Sequence, residues 1–154
     1  MPGDGVGTTT DDGAISTTQG GWTMRLSEAM QMGCIALNPT RGTGRWIIWD
    51  KDWNPCGGCI LGVTAVAAGY VFGRHSNPYT FFMEAFPLLA KPTPLPDRTG
   101  YVRSLQAQIH ILFEQDGWSW PKIVEWVQSV EEQVEAEGKT VAALEQGAAC
   151  QSTK

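Results

Sequence analysis

"YVRSLQAQIHILFEQDGWSWPKIVEWVQSVEEQVEAEG", residues 101–138, is the stretch whose periodicity decides the fold. Val102, Leu105, Ile109, Leu112 and Phe113 fall on one face of a helix running from about Tyr101 to Asp116. Ile123, Val127, Val130 and Val134 then recur at steps of four, three and four, with Trp126 at the edge of the stripe. Gly117 ends the first helix, Ser119 caps the second and Gly138 stops it. Two amphipathic helices joined by so short a turn must fold back or meet at an angle, since only that buries both stripes.

Working upstream, "KPTPLPDRTG" holds three prolines in five residues and reads as a loop or extended strap. "NPYTFFMEAF" starts a helix, with Asn77 as cap and Pro78 in its first position, and Pro87 marks its end. "CILGVTAVAAGY" is a run of small apolar residues, read as a buried helix closed by Gly69, with a strand as the alternative. "RWIIWD" is β-branched and aromatic and suits a strand, following the turn chemistry of "NPTRGTG". "RLSEAMQMGC" reads as a short helix capped by Ser27 and ended by Gly33. Residues 1–23 are mostly Gly, Thr, Ser and Asp, too polar to offset chain entropy, so a disordered tail is expected there.

The expected fold is therefore mainly α, with at most a short strand or hairpin near residues 45–53. It is a small helical domain over residues 24–138, closed by the helix pair. Residues 139–154 add a short helix or a frayed tail.

Charge narrows the function classes. Lys and Arg number 11 against 16 acids, a formal net charge of −5. The closing helix carries Glu125, Glu131, Glu132, Glu135 and Glu137, which phosphates would repel, so no nucleic-acid partner is expected. No apolar run reaches the length of a membrane span, so no membrane partner is expected either. The first residues lack the basic and apolar regions of a signal peptide, which makes the cytoplasm the expected compartment.

"DKDWNPCGGC", residues 50–59, holds the openings of two metal sites. Asp50, Asp52 and Asn54 alternate like calcium ligands. Pro55 stands where such a loop needs glycine, however, and Leu61 where it needs a bidentate Glu. The three residues read as turn formers instead. Cys56 and Cys59 form half a zinc knuckle, but no second pair follows; Cys34, His75 and His110 would have to converge from separate elements. No metal and no cofactor is expected. A redox dithiol is the alternative reading of Cys56 and Cys59, because a thiolate ahead of a helix is favoured by backbone N–H groups. No nucleophile elbow, metalloprotease motif or catalytic pair of acids is present, so an enzyme is not the favoured reading. Seven tryptophans remain to be placed. Most should fill the core, and Trp46, Trp49, Trp53 and Trp120 are the candidates for a surface that binds another protein.

Three stretches together resemble a family of small bacterial and phage proteins of uncharacterised activity. "RLSEAMQMG" (Arg25 to Gly33) resembles that family's Leu-Ser-Glu-Ala opening, and "CILGVTAVAAG" (Cys59 to Gly69) its Cys-Ala-Leu-Gly-like helix. "IHILFEQDGWSWPKIVEWVQSVE" (Ile109 to Glu131) resembles its His-Leu-Asn-Asp segment, Trp-Ser/Thr pair and Trp-Val helix. The resemblance covers about a third of the chain. It implies a helical fold and a phage or prophage context, and it supplies no activity. The zinc knuckle that the family pattern implies is lost here: "LLAKPTPLPDRTG" has no cysteine, and Ile111 and Asp116 stand where histidines would. The combined expectation is a non-enzymatic interaction or regulatory module that binds another protein, with inhibition of a host factor as one form. A thiol-redox or metal-binding role for Cys56 and Cys59 is the alternative.

Overall fold

The computed structural model describes residues 24–75 and 77–152, with side chains described to residue 140. The fold is mainly α, with two small antiparallel hairpins. The expected tail over residues 1–23 lies outside the described residues.

Helix α1 spans Leu26–Leu37 and α2 spans Ile60–Ala67. Between them, β1 (Ile47–Trp49) pairs with β2 (Pro55–Gly58). Helix α3 covers Pro78–Ala85, and a 3-10 turn over Pro87–Ala90 leads into the second hairpin, β3 (Pro92–Pro94) with β4 (Val102–Ser104). Helix α4 runs over Leu105–His110 and widens into a π-turn over Ile111–Gln115; α5 covers Trp120–Ser152.

Several starts and stops differ from the sequence reading. Ser27 does not cap α1: the helix begins beyond Arg25, whose backbone N–H donates to the Glu28 carboxylate at 2.9 Å. Gly33 does not end α1 either. It lies mid-helix, where a Cβ would sit 2.2 Å from the carbonyl oxygen of Val63 on α2. The glycine is there for close approach, and α1 runs four residues further to Leu37, ending at Asn38, which takes the left-handed conformation at φ 50°. Asn77 does cap α3, its side chain accepting the N–H of Thr80 at 2.8 Å.

The proline-rich stretch is a hairpin. Pro92 and Pro94 are exposed while Thr93 between them is buried, and Leu95 behind them is fully enclosed. Prolines cannot donate to a further strand, so the ladder stops at two. The buried Gln108 of α4 holds the hairpin by donating Nε2 to the carbonyls of Thr93 and Tyr101, each at 2.8 Å. Val102 is consequently an exposed strand residue and not part of the α4 stripe. Gly138 does not stop α5, which passes through it. Glycine costs a helix only about 1 kcal/mol relative to alanine, too little to end one by itself.

The core forms where the sequence placed its two stripes. Leu105, Ile109 and Leu112 are fully buried with Ile123 and Val127, and Val130 is nearly so. Val134 and Trp126 are half-buried at its edge. Arg41 ties the preceding loop to the corner between α4 and α5. Its Nε donates to the Phe113 carbonyl at 2.8 Å, its Nη2 to the Trp118 carbonyl at 2.6 Å, and its guanidinium lies 4.3 Å from the Phe113 ring centre.

Among the described residues, one acid is buried. Glu131 of α5 caps the start of α1 from outside it, accepting the Ser27 hydroxyl at 2.6 Å and the Ser27 N–H at 3.0 Å. Anions are favoured at a helix N-terminus, which is why a carboxylate is tolerated there. Burial nevertheless pushes the Glu131 carboxyl above its ordinary value of 4.5, against the lowering pull of Ser27 and Arg25. The folded state then holds this proton more tightly than the unfolded chain does. The resulting stability is present below about pH 4.5 and is lost as pH rises through the folded value. Urea melts should show the parent losing stability relative to Glu131→Gln between pH 4 and pH 7. An unchanged difference across that window would remove Glu131 from the account.

Candidate functional site

The aromatic side chains divide into an inner and an outer set. Trp46 is half-buried, edge-on to Phe82 at 5.7 Å and to Tyr79 at 5.9 Å. Trp120 is half-buried at the start of α5 and packs on the core with Trp118 and Trp126. Trp49 is half-buried and leans on Tyr70 and Phe72, at ring distances of 6.4 and 5.2 Å. Trp53 alone of the four is exposed, at 61 %.

Trp53 sits at the tip of the first hairpin because Asp50 builds the turn. The Asp50 carboxylate accepts the N–H groups of Asp52 and Asn54, both at 2.9 Å, and the Asp50 carbonyl accepts the N–H of Trp53 at 3.1 Å. This is a turn followed by a bulge, the hairpin connection in which glycine normally takes the left-handed position. Here that position is Trp53, at φ 62°. An L-residue pays about 1–2 kcal/mol for this conformation. Asp50 directs its oxygen at its own turn, as expected of a turn residue.

The Trp53 ring stacks on that of Phe72, with centres 5.0 Å apart and planes within 4° of parallel. Phe72 is 53 % exposed and its neighbour Val71 46 %. The turn over 71–75 that carries them is held by His75, whose Nδ1 accepts the Val71 N–H at 3.0 Å. The His75 ring packs in turn on Phe81 at 4.5 Å. The outcome is a three-ring surface of Trp49, Trp53 and Phe72, extended by Val71. The structure brings Trp49 and Trp53 together there and joins neither Trp46 nor Trp120 to them by a ring contact. Phe72 and Val71 were not singled out from sequence. The available sign was an apolar Val-Phe pair placed just after the helix-ending Gly69 and just before Gly73, where a turn would normally be polar.

The cysteines are arranged less favourably for chemistry. Cys56 is exposed on β2, Cys59 is buried where α2 begins, and neither is bridged. Burial pushes the Cys59 thiol up, and the opposing N–H groups of Gly62 and Leu61 do not cancel it; nearby Glu114 pushes the same way as burial. Burial on α1 pushes Cys34 up to about 12. A thiol held protonated is a poor partner in disulfide exchange. Among the described residues, no group of three or more His, Cys, Asp or Glu side chains could hold a metal ion. Nor is any helix among them long and apolar enough to cross a membrane.

No family model, curated protein or solved structure matches the chain.

Proposed function

We propose that this chain is a non-enzymatic interaction module of bacterial or phage origin, which binds another protein through the aromatic tip formed by Trp53, Phe72 and Trp49. Inhibition of a host factor is one form such binding takes. The observation that carries this reading is Trp53 itself: a large apolar ring, mostly exposed, on a backbone conformation that disfavours it. Folding alone gains little from an exposed ring and loses by the strained backbone. Strained residues of this kind cluster at sites of function. Tryptophan is also the residue most enriched where a few contacts dominate protein–protein affinity. The three resembling stretches support a phage-related setting, and the lack of signal-peptide features in the first residues supports the cytoplasm.

Trp53→Gly tests the proposal cleanly, because glycine suits φ 62°. Relief of backbone strain should offset the lost stacking on Phe72, leaving stability within about 1 kcal/mol of the parent. Affinity capture from a bacterial lysate should then recover a protein with the parent that is absent with Trp53→Gly. If both recover the same proteins, or the parent recovers none, the aromatic tip is not the binding site.

A further inference from the structure

A cleft of about 670 Å³ opens on another part of the molecule, between the 42–46 segment, the end of β4 and the outer face of α4. Trp46, Leu61 and Ile111 give it apolar lining, while Arg45, Arg103 and His110 also reach it. Within the described residues neither Arg45 nor Arg103 makes an ion pair. Three of the other four arginines are engaged, while Arg74 is exposed and makes no ion pair among the described residues. Arg25 and Arg98 pair with acids, and Arg41 donates to backbone carbonyls. Arg103 rests over the Tyr101 ring, 5.2 Å from its centre, but neither cleft guanidinium is neutralised by a salt bridge among the described residues, in a chain of net charge −5.

The acid that also lines the cleft, Glu114, is already held: its Oε1 accepts the Gly42 N–H at 2.7 Å. Its single negative charge cannot balance two guanidinium groups, and it makes an ion pair with neither. The wall that carries Glu114, Ile111 and Gln115 is the π-turn of α4. Such widened turns are rare, and where they occur they recur at functional sites.

We propose that this cleft binds a small organic anion, its oxyanion head held by Arg45 and Arg103 and its flat apolar body lying against Trp46 and Ile111. Guanidinium forks match the geometry of carboxylate, sulfonate and phosphate oxygens. Apolar walls with a few convergent polar groups are the usual make-up of a ligand site. Cys59 contributes only its apolar bulk, since it is buried and its thiol is held protonated.

The aromatic sulfonate 1-anilinonaphthalene-8-sulfonate combines both required features and reports its own binding by fluorescence. The parent should bind it at one saturable site. The double variant Arg45→Gln/Arg103→Gln should weaken that binding at least about ten-fold, through loss of two charge-assisted contacts. Both side chains are exposed, so the variant should fold, and far-UV circular dichroism verifies that it has. Arg74→Gln, which alters an exposed arginine outside the cleft, should bind like the parent. The inference fails if the parent shows no saturable site, or if the double variant binds the probe within about two-fold of the parent. It also fails if Arg74→Gln weakens binding as much as the double variant does, since any lost positive charge would then suffice.

Discussion

Gly62→Ala should destabilise the fold strongly. In an ordinary helix this substitution stabilises by about 1 kcal/mol, because alanine restricts the unfolded chain and favours the helix. Here the sign reverses. A Cβ at Gly62 would lie 1.4 Å from the Trp46 carbonyl oxygen and 2.2 Å from its carbon, both backbone atoms. No rotamer change can clear them. The first hairpin would have to lift from α2, breaking the paired bonds from the Cys59 N–H to the carbonyls of Arg45 and Trp46. Overpacking typically costs about 1–3 kcal/mol, and an overlap with backbone atoms belongs at the upper end of that range, a large part of the 5–15 kcal/mol that holds a typical domain. Gly33→Ala should act in the same direction through Val63, with its clash at 2.2 Å. Urea melts followed by circular dichroism measure both effects. A Gly62→Ala midpoint at or above the parent's would show that α2 and the hairpin do not meet this closely.

The second large effect is expected at Phe82. It is fully buried on α3 and meets Trp46 and Phe86 edge-on, at 5.7 and 5.6 Å. Phe82→Ala removes one of the largest enclosed side chains and leaves a cavity between α3 and the hairpin. The expected loss is about 3–5 kcal/mol. Trp126→Ala should cost less, even though the ring is larger, because Trp126 is only half-buried. Burial and not ring size sets the loss. Urea melts that rank Trp126→Ala as the more damaging of the two would contradict this placement of the core. Phe82 also bears on function: through Trp46 it steadies the hairpin whose far end presents Trp53.

The pairing of α4 with α5 was legible because a helical stripe carries its own evidence. Leu105, Ile109, Leu112, Ile123 and Val127 announce by spacing alone which face must leave water, and all five are fully buried. The Asn77-Pro78 start of α3 was legible for a similar reason, being a local device acting over three residues. Asp50 could be read as a turn former because the calcium pattern around it lacks two required residues. The thinning of Val134 at the edge of the stripe was not legible. Spacing says which face a residue shares and not how far the neighbouring helix extends.

What the sequence by itself determined is the helical class, the helix pair that centres the core, the strand near residue 47 with the turn after it, and the net negative charge. Each is set by residues close together in the chain or by composition. The tertiary structure alone decided the rest. Gly33 and Gly62 read as helix punctuation or as small filler until a carbonyl from another element is found against them. Ser27 reads as a cap until Glu131, 104 residues away, is found bonded to it. The prolines of β3 read as a strap until Gln108 supplies the donors that hold the hairpin. Trp53 meets Phe72, and Arg45 and Arg103 line one cleft, only because separate elements carry them there. Local propensity acts over a few residues, whereas a binding surface or a cleft is a meeting of distant ones, and that meeting is fixed only when the whole core packs.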